Sequence, residues 1–223
     1  PLTAPGAAPS TEADWTDDTR IVYFRAKKQA EQLAWRLADE LKLNLATVLP
    51  GSIGGPGFFR TTPTLDQLEA MMGGAFRMGV PDLNMLYIDV RDVAWLHLLA
   101  AERDGQGRFI AVGDEAPTWR RIMEVMHSID PRVKPALITL PSFTKPTMVF
   151  FDWLLSKVYG TPRTGSAEVV ATVVGKRFNA SNRRAREELG WAPRFSLEDS
   201  LRDTMATIRA NRSAGRRADP RHN

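Results

Sequence analysis

The chain has 223 residues, of which 43% are hydrophobic and 25% charged, as in a globular protein that buries a core. It contains no cysteine and its three histidines are scattered, which excludes disulfide frameworks and predicts no metal site. No apolar run reaches the roughly 18 residues of a membrane span and no signal-peptide pattern is present, so we expect a cytoplasmic protein.

The formal net charge of +4 does not indicate a nucleic-acid-binding protein. Much of the positive charge lies at the C-terminal end, where residues 213–223 have the composition of a disordered tail without interleaved aromatic residues. The arginines clustered at this end are Arg212, which directly precedes the tail, and Arg216, Arg217 and Arg221 within it. We therefore expect no nucleic-acid partner.

The first predicted element is a loop over residues 1–20, rich in Pro, Ala and Thr. Because the chain begins with Pro1 rather than Met, we expect residues before it in the gene product. Residues 21–41 are then predicted as an amphipathic helix whose apolar stripe has three- and four-residue spacing. The stripe consists of Ala26, Ala30, Leu33, Ala34, Leu37 and Leu41.

The first turns of this helix carry a phenol and an ammonium group, Tyr23 and Lys27, four residues apart. Positions i and i+4 share one helix face, so the two side chains could share a pocket. A neighbouring cation favours the deprotonated phenol, which suits a proton donor to a carbonyl that accepts hydride. The alternative is structural, with a half-buried Tyr23 and a solvated Lys27.

A buried strand is predicted at residues 44–49, and a glycine-rich loop follows at 50–57. A dinucleotide fingerprint requires a helix directly after the glycines, and Pro56 and the following residues oppose one. We therefore reject a phosphate-binding loop. The loop could still let the backbone approach a flat ligand.

Helices and strands alternate through the middle of the chain. Helices are predicted at residues 64–72, 93–103 and 118–129, and strands at 85–90 and 108–112. Thr64 and Asp92 are the expected N-caps of the first two of these helices. His97, inside the second helix, is interpreted as a packed core residue.

The last third contains an apolar, aromatic stretch at residues 145–159, which is too short to cross a bilayer. We interpret it as core or pocket wall, with a membrane-facing helix as the alternative. A helix over 181–189 should end at Gly190, and the last helix should run from Ser196 to about Ala210.

Five segments, in order, resemble motifs of the extended short-chain dehydrogenase/reductase superfamily, especially its dihydroflavonol and cinnamoyl-CoA reductase-like branch. They are an Asp-Trp segment at 12–17, Tyr-x-x-x-Lys at 23–27, a Pro-Gly-Ser-Ile-Gly-Gly-Pro loop at 50–56, Tyr-Ile-Asp-Val-Arg-Asp-Val-Ala at 87–94 and Leu-Gly-Trp-Ala-Pro at 189–193. Five motifs in the right order are more specific than any one of them.

The resemblance implies an NAD(P)-dependent oxidoreductase that reduces a ketone or aldehyde by hydride transfer. It implies Tyr23 and Lys27 as catalytic residues that also contact the cofactor, NAD or NADP. The backbone expected against the nicotinamide consists of Pro50, Gly51, Ser52 and Ile53. The apolar side chains expected around a largely apolar small-molecule substrate are Phe58, Phe59, Met71, Met72 and Phe143.

The implied fold class is α/β. Residues 21–56 and 86–113 would form the C-terminal part of a doubly wound parallel Rossmann-type sheet. Residues 57–85 and 114–212 would form a smaller α/β substrate-binding domain. The glycine-rich N-terminal Rossmann half and the catalytic Ser or Thr would lie upstream of residue 1, in the same gene product or another chain. The strand at 44–49 would then lack its inner neighbour.

Two other functions stay open. A nucleotide-sugar epimerase or dehydratase of the same superfamily would need basic residues for a diphosphate, and Arg77 and Arg177 are the candidates. A non-catalytic structural subunit would retain the fold alone. The complete protein could also form a homodimer.

Overall fold

Parallel strand pairs with packed helices form the part of the chain that the computed structural model describes, residues 2–3, 6–16, 21–58, 62–141 and 174–218. The helices are α1 Val22–Leu41, α2 Pro63–Met72, α3 Val90–Glu102, α4 Trp119–Ile129, α5 Arg183–Leu189 and α6 Leu197–Ala218. The strands are β1 Leu2–Thr3, β2 Ala46–Pro50, β3 Ser52–Gly54, β4 Val80–Pro81, β5 Tyr87–Asp89, β6 Gly107–Ala111, β7 Thr139–Leu140 and β8 Arg177–Phe178.

Three of the four strand pairs are parallel, which confirms the α/β class. β2 pairs with β6, β3 with β5 and β4 with β7, whereas β1 pairs antiparallel with β8. The chain leaves β2 and continues after Gly51 as β3, so one run of residues pairs first with β6 and then with β5. Among the described residues, β2 pairs only with β6.

The outer edge of β6 is closed by side chains. Every second residue from Arg108 to Val112 turns its backbone polar groups away from β2, and three of these groups meet side chains. Glu12 accepts the Ile110 N–H at 3.0 Å, Arg184 donates to the Arg108 carbonyl at 3.3 Å, and Asn182 donates to the Val112 carbonyl at 2.9 Å. The sheet therefore ends at β6.

The buried apolar residues form two clusters. The first joins α2, α4 and α6 with Tyr87 of β5. The second joins α3, β5 and β6 with α5 and Trp191, whose indole is fully buried and donates to the Asp92 carbonyl at 2.9 Å. α5 and Trp191 thus pack with β6 although the sequence assigned them to the substrate-binding domain. The predicted domain boundaries themselves stay a prediction.

Several predicted boundaries hold, and two caps were wrong. α5 ends at Gly190 as predicted. α2 is capped by Thr62 rather than Thr64, because Pro63 occupies the first helical position and Thr62 accepts the Leu65 N–H at 3.3 Å. α3 is capped by Asp89 rather than Asp92, which lies in its first turn.

Three further expectations need correction. His97 is exposed rather than packed, since the buried face of α3 runs through Val93, Leu96 and Leu99. Its imidazole Nδ1 lies 2.8 Å from the Val93 carbonyl oxygen. The residues 1–20 expected to be loop contain β1, and α6 extends to Ala218, into the tail expected to be disordered.

The predicted apolar stripe of α1 is also wrong as a buried face. Leu33, Leu37 and Leu41 are 45, 42 and 64% exposed, and only Ala38 is buried in this helix. The helix instead turns Glu31 toward β2 and β6. The polar contacts described below therefore hold α1 in place.

Some predictions fall outside the described residues. These are the positions of Phe59 and Phe143, the apolar stretch at 145–159 and the tail beyond Ala218. Within the described part, no helix is both long and apolar enough to cross a membrane, and no group of His, Asp and Glu side chains there could hold a metal ion.

Candidate functional site

The Tyr23 and Lys27 side chains lie together on the first turns of α1. The Lys27 ammonium lies 5.7 Å from the centroid of the Tyr23 ring, within the range of a cation–π contact. Tyr23 is 63% exposed, so the described residues do not enclose its hydroxyl. That the pair faces a cleft lined by residues 50–53 stays a prediction.

Glu31, two turns after Tyr23, anchors α1 to the sheet. Its carboxylate accepts two hydrogen bonds from the Arg108 guanidinium of β6, at 2.9 and 3.2 Å. It also accepts one from the Thr47 hydroxyl of β2 at 2.9 Å. The Glu31 and Arg108 side chains are each 14% exposed. A bidentate pair shielded in this way fixes the position of the helix against both strands.

Arg108 also holds the Asp-Trp segment that precedes α1. Its guanidinium stacks 3.9 Å from the centroid of the Trp15 ring and donates to the carbonyls of Glu12 and Asp14. Lys28 of α1 donates to the Thr16 carbonyl at 2.8 Å. One arginine therefore joins three parts of the candidate site: helix α1, the sheet edge and the Asp-Trp segment.

The residues predicted to face the nicotinamide lie where the chain passes from the β2–β6 pair to the β3–β5 pair, and backbone hydrogen bonds hold this passage, the crossing loop, in place. The Gly51 N–H donates to the Ala111 carbonyl at 3.0 Å, and the Ser52 N–H donates to the Leu86 carbonyl at 2.6 Å. A Cβ at position 51 would lie 2.0 Å from the Leu86 oxygen, so only glycine fits there. A strand rather than a helix follows, and these N–H groups are already bonded. Both observations agree with the prediction that this loop does not bind phosphate.

An ion network built around the buried Asp89 lies at the carboxyl end of β5. Asp89 is 2% exposed and accepts hydrogen bonds from Arg91, at 2.9 Å from the backbone N–H and at 2.8 and 3.0 Å from the guanidinium. Arg91 also pairs with Asp203 of α6 at 2.8 Å and stacks on the Phe195 ring. Burial acts to raise the pKa of Asp89, but hydrogen bonds from Arg91 and Ser200 outweigh it and lower the pKa.

Asp92 is the second buried carboxylate of this region. It is fully buried and accepts the N–H groups of Arg194 and Phe195 at 2.9 and 3.3 Å. Burial is the main cause that raises its pKa above the ordinary value. The carboxylate thus ties the segment after Trp191 to α3. Both aspartates belong to the 87–94 motif, but the partners of Asp92 lie 102 and 103 residues away and could not be inferred.

The residues predicted to contact the substrate differ in how deeply they are buried. Phe58 and Met72 are partly buried against the first apolar cluster, so each keeps an accessible surface. Met71 is fully buried and packs inside that cluster. Its burial removes Met71 from the set that a substrate could touch.

Of the two basic residues considered for a diphosphate, Arg177 is engaged by a carboxylate. Its guanidinium donates to both oxygens of Asp82, at 2.8 and 3.0 Å. Arg77 is exposed.

An open hollow of about 610 Å³ lies at the other end of α1, between its C-terminal turns and the start of β2. Trp35, Ala38 and Leu43 are among its lining residues. Tyr23 lies twelve residues before Trp35 on the helix, or about 18 Å at 1.5 Å per residue. The hollow is therefore separate from the Tyr23 site.

Comparison with curated proteins finds oxidoreductases, and no family model matches the chain. An uncharacterized oxidoreductase of Saccharomyces cerevisiae is 28% identical over 211 residues, which cover 88% of this chain and 54% of that protein. Cinnamoyl-CoA reductase 1 of Oryza sativa is 32% identical over 108 residues, covering 46% of this chain and 32% of that protein. The chain spans about half the length of the first of these relatives.

Solved structures share the fold over nearly the whole chain. A nucleoside-diphosphate-sugar epimerase of Pseudomonas aeruginosa matches with a TM-score of 0.70 at 20% identity, covering 94% of this chain and 63% of that one. The yeast methylglyoxal/isovaleraldehyde reductase complexed with NADPH matches with a TM-score of 0.65 at 20% identity, covering 93% and 58%. In its ordered motifs, its parallel strands and these relatives, the chain resembles the extended short-chain dehydrogenase/reductase superfamily.

Proposed function

We propose that the protein carrying this chain is an NAD(P)-dependent oxidoreductase that reduces the ketone or aldehyde of a largely apolar small molecule. The observation that carries the proposal is the pairing of Tyr23 with Lys27 on the exposed first turns of α1. The Glu31–Arg108 contact anchors that helix to the sheet. The reductase names of the relatives support the reaction class.

Chain direction supports a site shared by Tyr23 and the loop at 50–53. Only residues 42–45 connect α1 to β2, so the two elements run in opposite directions. From the Glu31–Thr47 contact, Tyr23 lies about 12 Å along the helix and Pro50 about 10 Å along the strand. Both distances lead to the same end of the sheet, where dinucleotides bind in open α/β folds.

The residues present fit the nicotinamide end of the cofactor. Lys27 and Tyr23 expose their polar groups, as residues that hold a ribose hydroxyl must. Pro50 is exposed on the fixed crossing loop, which can hold a flat ring in one orientation. When bound, the reduced cofactor supplies a hydride to the carbonyl carbon.

The chain's own residues handle the proton. Tyr23 donates its hydroxyl proton to the carbonyl oxygen as negative charge develops there. The Lys27 ammonium stabilises the tyrosinate that results. The carbonyl carbon thereby gains hydride, its oxygen gains a proton, and Tyr23 must be reprotonated before the next turnover.

The surroundings favour an apolar substrate over a nucleotide sugar. Phe58 and Met72 present partly exposed apolar surface. Arg177, a candidate for a diphosphate, is held by Asp82, and freeing it would leave that carboxylate without this partner.

The test is Tyr23→Phe in the full-length protein, assayed with NADPH and NADH against aliphatic and aromatic aldehydes and ketones. Loss of the proton donor should lower kcat by about 10²-fold or more. Because Tyr23 is mostly exposed, the urea midpoint should not change. The control is Glu40→Gln, an exposed substitution on the same helix that should leave kcat unchanged. Full activity in Tyr23→Phe would refute the proposal, and turnover of UDP-sugars alone would favour an epimerase.

A further inference from the structure

Helix α6 holds the segment that follows the crossing loop at two points. The Gly55 N–H donates to the Thr204 hydroxyl at 2.6 Å, and the Asn211 side-chain amide donates to the Phe58 carbonyl at 2.9 Å. Thr204 and Asn211 are seven residues apart, which is two helical turns, so they lie on one face of α6. The segment 55–58 therefore runs along this helix.

Thr204 belongs to a buried cluster of three hydroxyl groups. Its oxygen lies 3.0 Å from the Tyr87 hydroxyl, which lies 3.1 Å from the Ser200 hydroxyl. Thr204 donates its own hydrogen to the Ser200 carbonyl at 2.7 Å. The Tyr87 hydroxyl must therefore donate to Thr204, leaving the Ser200 hydroxyl to donate to Tyr87 or Asp89. In both arrangements the Tyr87–Thr204 hydrogen bond and the Thr204–Ser200 carbonyl hydrogen bond are the same.

Burial makes the cluster intolerant of displacement. Tyr87 is 4% exposed, Ser200 1% and Thr204 0%. A hydroxyl or N–H group that loses its partner at such a depth is not resolvated by water. A bonded polar group inside an apolar core therefore fixes one position for the backbone that it contacts. Here that backbone is Gly55.

Gly55 is also closely packed on the side that faces β5. Its φ of +105° suits glycine, and a Cβ there would lie 2.8 Å from a carboxylate oxygen of Asp89. The residue is thus confined between β5 and α6. Gly54, directly before it, ends the strand β3 that begins at Ser52. A shift of Gly55 would consequently move the residues predicted to face the nicotinamide.

We propose that Thr204 and Asn211 are positioning residues, through which α6 sets the place of both the cofactor-facing loop and the substrate-facing Phe58. This inference rests on the proposed function for the identity of those two surfaces. Thr204 acts through Gly55 on residues 50–53. Asn211 acts through the Phe58 backbone on the Phe58 side chain, which is predicted to contact the substrate. Neither residue is proposed to touch cofactor or substrate.

The experiment uses Thr204→Val, which keeps the shape of the side chain and removes its hydroxyl. Thr204→Ser retains the hydroxyl and should therefore keep the exchange rate at residues 50–58 and the cofactor KM close to those of the parent protein. Thr207→Val is the matched control, because Thr207 lies three residues further on the same helix and its side chain makes no hydrogen bond to another described residue. All variants are made in the full-length protein.

The first measurement is hydrogen–deuterium exchange, read by mass spectrometry on peptides from residues 50–58. Thr204→Val should accelerate exchange there by about tenfold, as expected for one lost hydrogen bond. Peptides from β6 report global opening and should change less. Unchanged exchange at 50–58 in a folded Thr204→Val protein would overturn the inference, whether or not the protein proves to be a reductase.

The second measurement separates positioning from general damage. Thr204→Val should raise the KM for the nicotinamide cofactor several-fold, with a smaller change in the KM for the carbonyl substrate. Asn211→Ala should raise the KM for the carbonyl substrate more than the KM for the cofactor, because Asn211 contacts Phe58. Equal changes in both constants for both variants would contradict the assigned roles. Absence of any reductase activity in the parent protein would reject the proposed function and leave the exchange result standing.

Discussion

Replacement of Glu31 by Gln tests whether a single carboxylate holds helix α1 against the sheet. The change keeps the size of the side chain but removes the charge that faces the Arg108 guanidinium. One amide oxygen can accept only part of the three hydrogen bonds that Glu31 now receives from Arg108 and Thr47. The amide NH₂ group must also face a donor. We expect α1 to loosen at its centre.

The expected loss of unfolding free energy follows from the burial of the Glu31 and Arg108 side chains. A hydrogen bond to a charged group contributes about 1.5–3 kcal/mol, and breaking a fully buried ion pair costs about 3–5 kcal/mol. Both side chains are 14% exposed, and Arg108 keeps its contacts to Trp15 and to two carbonyls. We therefore expect Glu31→Gln to lower the free energy of unfolding by about 2 kcal/mol.

The assay is urea unfolding of the full-length protein, with midpoint and slope compared between variants. Glu40→Gln is the matched control on the same helix, because the Glu40–Arg36 pair is 58 and 69% exposed with atoms 3.7 Å apart. Such a pair contributes within about 0.5 kcal/mol. Equal effects of the two substitutions would refute the anchoring role of Glu31.

Three further predictions follow from the chain's polar contacts and its sequence. The isolated 223-residue chain should bind NADH and NADPH only at millimolar concentration or weaker by calorimetry, since no glycine-rich dinucleotide fingerprint is present; micromolar affinity would show that the site is misplaced. The hydrogen bonds from Arg132 lower the pKa of Asp130 to about 2, so its stabilising effect should be complete above about pH 4 and disappear as the pH falls to 2. The difference in urea midpoint between Asp130→Asn and the parent should therefore narrow between pH 7 and pH 2.5, and a constant difference would contradict this. Gly51→Ala should prevent stable folding, measured by circular dichroism, because the new Cβ would meet the Leu86 carbonyl oxygen.

The sequence predicted the elements with strong periodicity and placed their ends less well. α1, β2 and β6 lie within two residues of the predicted bounds, because apolar spacing and glycine signals mark them. The caps at Thr62 and Asp89 were missed because two acceptable cap residues stand close together, and local sequence alone does not choose between them.

The contacts that fix the site were beyond prediction for a different reason. Gly55 and Thr204 are separated by 149 positions, and Glu31 and Arg108 by 77. Only the folded chain brings such residues together. A weaker signal was available on α6, where Thr204 interrupts a face otherwise formed by Leu201, Met205 and Ile208. A polar residue on a buried face indicates a partner without identifying it.

The closed edge of β6 also limits how chains could join through this sheet. Glu12, Asn182 and Arg184 leave no row of free backbone groups there for another strand. In the β2–β6 pair, the edge left open to further strands is therefore that of β2. The strands that the sequence resemblance implies upstream of residue 1 could add to this pair only at β2, so the sheet can grow in one direction alone.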